Sequence, residues 1–178
     1  MVTVFLANGF EEVEALTVVD ILRRGEVEVE TVSIGGKVIT GAHGISVTAD
    51  VCEEDYKPEG REMIVLPGGQ PGTDHLDASE TVQKALDTAV KENIPIAAIC
   101  AAPMVLGHKG LLVGKKATCY PGCGGELTGA VLTSGDVVID GNIITSRGPA
   151  TASAFGFALL ARLKGEQTAN EILTGMLF

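Results

Sequence analysis

The sequence lacks tryptophan, and aromatic residues make up only 4% of its 178 residues. Hydrophobic residues nevertheless account for 46% of the chain, so Val, Ile, Leu and Ala must fill most of its core. Such a core is typical of buried parallel strands covered by helices. A chain of this length buries roughly 70% of the surface that its unfolded form exposes, so it needs no disulfide or metal for stability. The length predicts a single domain over residues 1–178.

Positive charge is also scarce, because 13 Lys and Arg face 23 Asp and Glu and leave a net charge of −10. A phosphate backbone would be repelled by such a surface, which makes nucleic acid an improbable partner. No apolar run reaches the length of a membrane span, so no membrane association is expected. No Lys- or Arg-rich leader precedes the first apolar segment, and we therefore expect a cytoplasmic location.

The spacings that usually hold metals are missing as well. The four cysteines, Cys52, Cys100, Cys119 and Cys123, include no C-x-x-C pair, and no H-x-x-H or H-E-x-x-H motif occurs. In a reducing compartment these cysteines should be free thiols. The sequence predicts neither a metal site nor an external cofactor.

Short apolar segments alternate with helical ones along the chain. Strands are predicted at residues 2–7, 27–34, 63–66, 94–99, 137–140 and 142–145, helices at 11–24, 79–92, 151–163 and 167–177, and a hairpin at 37–51. This order predicts an α/β fold, a three-layer sandwich with a mainly parallel sheet between helices. Loops after Ala7, Leu66 and Ile99 follow the carboxyl ends of strands and should open into one crevice.

Cys100 lies directly between a buried strand and a helix start, in the segment Ile99-Cys100-Ala101-Ala102-Pro103. The pattern predicts a nucleophile elbow, a sharp turn that presents a side chain at the end of the sheet. A helix N-terminus beside a thiol favours the thiolate, so we expect a lowered pKa. The alternative is a small residue that merely fills a strand end.

Two neighbouring loops offer groups that would assist such a thiol. Gly68 and Gly69 follow the adjacent strand, and the N–H of Gly69 together with that of Ala101 would form an oxyanion site. The alternative is that Gly68 and Gly69 only make a turn. Glu14 lies one turn into the first helix, where it would hydrogen-bond the sulfur and be partly protonated. Glu11 and Glu12 are explained by the helix dipole.

The remaining histidines and cysteines leave alternatives open. No histidine follows Cys100 closely, although a Cys–His pair through His43 or His75 remains possible in space. Otherwise His43 would line the pocket and His75 would lie in a surface loop. Cys119 and Cys123, in a loop rich in Gly and Pro, are either resolving thiols for Cys100 or ordinary small residues.

Four motifs together resemble the DJ/ThiJ/PfpI superfamily, and its deglycase branch most. They are Gly-Phe-Glu-Glu-Val-Glu, Leu-Pro-Gly-Gly, Ala-Ala-Ile-Cys-Ala-Ala-Pro and Thr-Ser-Arg-Gly-Pro-Ala-Thr, at residues 9–14, 66–69, 97–103 and 145–151. The resemblance implies a flavodoxin-like fold and a homodimer. It also implies that Cys100 is the reactive cysteine, Glu14 its contacting glutamate, Gly69 an oxyanion donor and Arg147 a pocket residue.

The sequence departs from the superfamily pattern at three positions. Ala101 stands where the protease branch has histidine, which argues against proteolysis. Tyr120 stands before Pro121 where the deglycase branch often has a histidine near the thiol, so the proton-transfer step that the resemblance implies lacks that histidine. His43 stands in place of an arginine that lines the pocket, so anion binding there should be weaker or pH-dependent.

Two function hypotheses use the same thiol. In the first, Cys100 attacks a small dicarbonyl such as methylglyoxal, or a glycated adduct, as a glutathione-independent glyoxalase or deglycase in carbonyl or oxidative stress. In the second, the protein is a redox sensor or holdase chaperone with little turnover, and Cys100 oxidises to a sulfinate. A flavodoxin-type electron carrier is disfavoured, because no Ser/Thr-rich phosphate loop follows the first strand.

The first helix also predicts a homodimer. Its apolar residues lie on more than one side, so they cannot all face one sheet, and a monomer would leave an apolar patch in water. These residues are Val13, Ala15, Leu16, Val18, Val19, Ile21 and Leu22. The alternative is that the hairpin at residues 37–51 covers the excess surface within one chain.

Overall fold

The computed structural model describes residues 1–178 and is built on eleven strands and six helices. The strands are β1 (Val2–Ala7), β2 (Val29–Ile34), β3 (Val38–Thr40), β4 (Ser46–Thr48), β5 (Val51–Cys52), β6 (Met63–Leu66), β7 (Ile96–Ile99), β8 (Lys116–Ala117), β9 (Val131–Leu132), β10 (Val137–Asp140) and β11 (Ile143–Ser146). The helices are α1 (Glu12–Arg24), α2 (Gly72–Ala78), α3 (Glu80–Lys91), α4 (Pro103–His108), α5 (Ala152–Lys164) and α6 (Glu166–Gly175).

Seven strands form the central sheet in the order β10-β11-β7-β6-β1-β2-β5. All neighbours in this sheet run parallel except β10 and β11, which form an antiparallel pair at one edge. The carboxyl ends of β1, β6 and β7 therefore lie side by side, and the loops that follow them meet, as predicted. The hairpin β3–β4 forms a separate two-stranded sheet.

The central strands are apolar on both faces because helices cover both faces. In β1, Val4 and Leu6 belong to the core that contains α1, α5 and α6, whereas Phe5 and Ala7 belong to the core under α2, α3 and α4. The expected three-layer, flavodoxin-like α/β sandwich is confirmed. Ser79 caps α3 as its position suggested, since its Oγ accepts a hydrogen bond from the N–H of Val82.

The reasoning that led from α1 to a dimer is corrected by the packing of α5. Helix α5 packs against α1, so Val18 and Val19 are buried within the same chain. Only Val13 and Leu16 remain substantially exposed, at 50% and 37%. The composition of α1 therefore needs no second subunit for most of its apolar residues.

Helix α2 is the one element of substantial length that the sequence pattern did not predict. Its start, Pro71-Gly72, reads as a turn, yet the chain continues for two helical turns and carries His75, which was expected in a loop. No helix in the structure is both long and apolar enough to serve as a membrane span.

Candidate active site

Cys100 occupies the predicted elbow between β7 and α4. Its φ is +65°, in the left-handed region that a side chain with a Cβ rarely adopts, so the turn is strained. Two hydrogen bonds hold the strained residue. Its N–H donates to the carbonyl of Ser146 at 2.9 Å, and its carbonyl accepts from the N–H of Tyr120 at 2.8 Å. Strain maintained by its surroundings in this way is a frequent property of reactive side chains.

Glu14 lies in the first turn of α1 and is fully buried. Its Oε2 accepts a hydrogen bond from the N–H of Gly68 at 2.8 Å, while Oε1 is buried without a nitrogen or oxygen donor. The carboxyl faces the thiol of Cys100. Burial raises its pKa to about 7, although the contacts with Cys100 and Gly68 partly oppose the shift. This shift has the direction that partial protonation near neutral pH requires.

Gly68 has no side chain because the thiol and the carboxyl occupy the space where one would stand. A Cβ on Gly68 would lie 2.7 Å from Cβ of Cys100 and 2.8 Å from Oε2 of Glu14. The next residue, Gly69, has a φ of +92°, which glycine adopts without strain. The two glycines therefore let β1, β6 and β7 bring their loops together around the sulfur.

Backbone donors surround the sulfur of Cys100. The N–H groups of Ala101 and Gly69 hydrogen-bond to it and favour the thiolate. The expected lowering of the thiol pKa is nevertheless wrong. Burial, and after it the charge of Glu14, outweigh these donors and raise the pKa of Cys100 above its ordinary value. The helix N-terminus was a correct observation, but the sequence did not reveal how deeply the sulfur is buried.

The thiol of Cys100 and the carboxyl of Glu14 therefore differ in protonation near neutral pH. Near neutral pH the thiol keeps its proton while the carboxyl of Glu14 is partly ionised. An ionised carboxylate beside a protonated thiol is the arrangement of a general base next to its nucleophile.

Glu12 is a site residue whose partners the sequence did not reveal. It is 4% exposed, and its Oε1 accepts hydrogen bonds from the N–H groups of His43 (2.8 Å) and Ile45 (3.3 Å) in the β3–β4 hairpin. Its Oε2 lies 2.9 Å from Nδ1 of His43. The His43 ring therefore pairs with Glu12 and makes no hydrogen bond to Cys100. The only prior signal was the closeness of Glu12 to a helix start.

Tyr120 and Arg147 line one depression near the elbow. This depression measures about 400 Å³ and has Asp136, Pro149 and Thr151 among its walls. Arg147 is paired with Asp136 at 3.3 Å, and the ring of Tyr120 lies over the backbone of Gly148. Cys100 does not line this depression, so the two predicted pocket residues share a depression that lacks the thiol.

The other histidines and cysteines have different partners. Nδ1 of His75 lies 2.9 Å from the carbonyl oxygen of Asn8, and His108 lies between Asp77 and Glu126. No histidine forms a hydrogen bond with Cys100, which removes the Cys–His pair. All four cysteines are free thiols, as expected.

Comparisons with known proteins give a consistent result. The DJ-1/PfpI family matches residues 1–162. Protein DJ-1 homolog B of Arabidopsis thaliana is 38% identical over 94% of this chain, which spans 39% of that relative's length. Deglycase PH1704 of Pyrococcus horikoshii is 35% identical over 84% of this chain and 90% of its own.

Two further comparisons concern a named activity and a solved structure. Glutathione-independent glyoxalase DJR-1.2 of Caenorhabditis elegans is 33% identical over 92% of this chain and 88% of its own. The solved structure of oxidised Toxoplasma gondii DJ-1 superposes with a TM-score of 0.95 at 33% identity, covering 99% of this chain and 97% of that one.

Proposed function

This chain belongs to the DJ-1/PfpI family, and from that premise we propose that it is a cysteine-dependent glyoxalase or deglycase acting on small dicarbonyls or their adducts. The observation that carries the proposal is the buried carboxyl of Glu14 facing the thiol of Cys100 at a strained elbow. Two relatives are named as a glyoxalase and a deglycase, at 33% and 35% identity. These names support the reaction class for this chain.

The first step begins with a protonated thiol on Cys100 beside an ionised carboxylate on Glu14. Glu14 takes the thiol proton as the sulfur of Cys100 bonds to the aldehyde carbon, and the carbonyl electron pair moves to oxygen. The N–H groups of Gly69 and Ala101, which point to the sulfur, stabilise that oxyanion. Glu14 then returns the proton to the oxygen and leaves a hemithioacetal.

The second step moves a hydrogen within the substrate. For methylglyoxal, Glu14 removes the proton from the former aldehyde carbon and delivers it through an enediol to the neighbouring ketone carbon, while the proton of the hemithioacetal hydroxyl moves to the ketone oxygen. The first carbon is oxidised to a thioester and the second is reduced to an alcohol. Water then cleaves the thioester, releasing lactate and the free thiol. The sum is methylglyoxal plus water to lactate, so no external cofactor is needed.

Methylglyoxal turnover without glutathione, followed as lactate, tests the proposal. Wild type should produce lactate, and Cys100→Ser should abolish production. Cys119→Ser is the matched control, because that thiol is also partly exposed and should be dispensable. Lactate formation that survives Cys100→Ser would remove Cys100 from the reaction.

A second candidate function is redox sensing, and one observation favours it. A protonated Glu14 beside the sulfur would donate a hydrogen bond to a sulfinate, which two peroxide molecules form by each giving one oxygen and leaving as water. Mild peroxide followed by peptide mass spectrometry should oxidise Cys100 before Cys52, Cys119 or Cys123. Glu14→Gln should preserve sulfinate formation better than Glu14→Asp, which shortens the reach. Equal behaviour of both variants would contradict this role of Glu14.

A homodimer and a cytoplasmic location complete the proposal. The exposed Val13 and Leu16 on α1 support the dimer, as does exposed Ile45 on the adjoining hairpin. Light scattering should give about twice the chain mass of 18.4 kDa. Leu16→Glu should yield monomers, whereas a charge at Val18 should unfold the chain, since that side chain is buried within one subunit. A wild-type mass of one chain would refute the dimer.

A further inference from the structure

Three metal-ligating side chains converge at the junction of α1 and the β3–β4 hairpin, apart from the thiol. Nδ1 of His43 lies 2.9 Å from Oε2 of Glu12 and 3.6 Å from Oε1 of Glu11. Ligand atoms of all three residues lie within 4.8 Å of one another. The proposed reaction assigns none of the three a chemical role.

Glu12 is held in place independently of any ligand. Its Oε1 accepts two backbone hydrogen bonds, from His43 and Ile45, which leave Oε2 turned toward the imidazole. Gly41 makes room for this carboxylate, because a Cβ there would lie 2.6 Å from Cγ of Glu12. One ligand oxygen is therefore fixed by the fold, in a cradle that a side chain at residue 41 would fill.

The separations suit a small divalent cation. In a tetrahedral zinc site with bonds of about 2.0 Å, neighbouring ligand atoms lie roughly 3.3 Å apart. The two separations in the structure, 2.9 and 3.6 Å, lie on either side of that value. An imidazole among carboxylates favours Zn²⁺ over Mg²⁺ or Ca²⁺. The His43 side chain is 67% exposed in the single chain, so a cation would reach it there from solvent.

The identity of residue 43 separates a ligand site from a simple ion pair. A histidine at residue 43 can ligate a cation through Nδ1, whereas an arginine there would pair with the carboxylates and could not ligate a cation. We propose that Glu11, Glu12 and His43 form a Zn²⁺ site at the junction of α1 and the β3–β4 hairpin. The proposed reaction does not use this site, so the site is tested by measuring Zn²⁺ binding rather than turnover.

Calorimetric titration of the protein with Zn²⁺ alone tests the site. One equivalent should bind to wild type, and the same binding should persist in Cys100→Ser, since the thiol is not a ligand. His43→Arg keeps the ion pair with Glu12 but removes the ligand, so affinity should fall at least about 10-fold, given that even outer-shell changes cost 10–100-fold. His75→Gln, at a histidine on α2, is the matched control and should bind as wild type does.

Two additions make the result decisive if a variant is poorly folded. Glu11→Gln removes a ligand whose side chain makes no hydrogen bond and no ion pair other than that with His43, so it should weaken binding while thermal melting stays as in wild type. In wild type, Zn²⁺ should shift the Nδ1 resonance of His43 in imidazole ¹⁵N spectra and leave His75 unchanged. Absence of binding in wild type, binding that survives His43→Arg, or binding lost in Cys100→Ser would each overturn the proposal.

Discussion

Glu12 and Glu14 lie two positions apart in the first turn of α1, are both buried, and titrate in opposite directions. Burial disfavours the charged form of both. At Glu12, hydrogen bonds from the His43 ring and from the N–H groups of His43 and Ile45 outweigh burial and lower the pKa. At Glu14, burial prevails over the thiol and the single N–H of Gly68, and the pKa rises to about 7. The number of donors, rather than burial alone, separates the two carboxyls.

The partners of the two carboxyls come from different parts of the fold. Glu12 faces the β3–β4 hairpin and fixes it to α1, so its charge is used in structure. Glu14 faces the loops after β6 and β7, where an unsatisfied oxygen meets a thiol. The first turn of α1 thus carries Glu12, whose charge holds the hairpin, on one side and Glu14, a proton-transfer group, on the other.

The largest difference should appear in turnover. Glu14→Gln keeps the shape but removes the base, so methylglyoxal turnover should fall about 10²–10⁴-fold, the range of general acid–base catalysis. Glu12→Gln should retain activity within a few-fold, while losing roughly 1–3 kcal/mol of stability with the hairpin's charged acceptor. Lactate assays measure the turnover of both variants, and urea denaturation measures their stability. Equal activity losses would show that Glu12 also serves the reaction.

The two carboxyls should also give stability opposite dependences on pH. Glu14 has a raised pKa, so its contribution is fully present below the unfolded value of 4.5 and is lost as pH rises toward about 7. Its ionisation in the folded chain costs up to about 3 kcal/mol. The free energy of unfolding of wild type relative to Glu14→Gln should therefore fall between pH 5 and pH 8 by about that amount.

Glu12 provides the control for that measurement. Its pKa is lowered, so its contribution is present above 4.5 and is lost as pH falls through the lower folded value. Wild type relative to Glu12→Gln should decline at acidic pH, where Glu12 takes up a proton, and should also decline as pH rises through the pKa of His43, which Glu12 raises. Urea denaturation across this range measures both. Parallel curves for the two variants would contradict the opposite shifts.

Gly68→Ala should disturb Glu14 without touching Glu12. The added Cβ would press on Cys100 and on the carboxyl oxygen, so we expect a loss of about 1–3 kcal/mol in stability, as overpacking costs, and impaired turnover. Gly125→Ala is the matched control, because a Cβ there meets nothing within 4 Å. Calorimetric melting and lactate assays test both variants. Unchanged turnover in Gly68→Ala would mean that the loop yields without disturbing the pair.

The sequence predicted the parts of the site that follow from local pattern. A buried strand running into Cys100 and a proline three residues later determine an elbow, and strand alternation places its loop beside that of Gly68 and Gly69. The motifs then identified Glu14 as the contacting glutamate. These features depend on residues close in sequence or on the order of strands, and both can be derived from the sequence alone.

The remaining features depend on distant contacts that no local pattern encodes. The sequence could not show that α5 buries Val18 and Val19, because α5 lies over 120 positions later. It could not show that burial would raise the thiol pKa, since depth is a property of the packed molecule. It assigned Glu12 to the helix dipole because the donors of the hairpin are some 30 positions away.

The smallest expected effect concerns the ring of His43. His43→Gln removes the ring contact to Oε2 of Glu12 but leaves the two backbone donors to Oε1. The pKa of Glu12 should therefore rise, yet remain below that of Glu14, which has one backbone donor and is fully buried. Side-chain ¹³C NMR titration of both carboxyls, with a chelator present to exclude metal, measures this order. If the two pKa values became equal, the ring alone would account for the ionised state of Glu12, and the backbone donors of the hairpin would not.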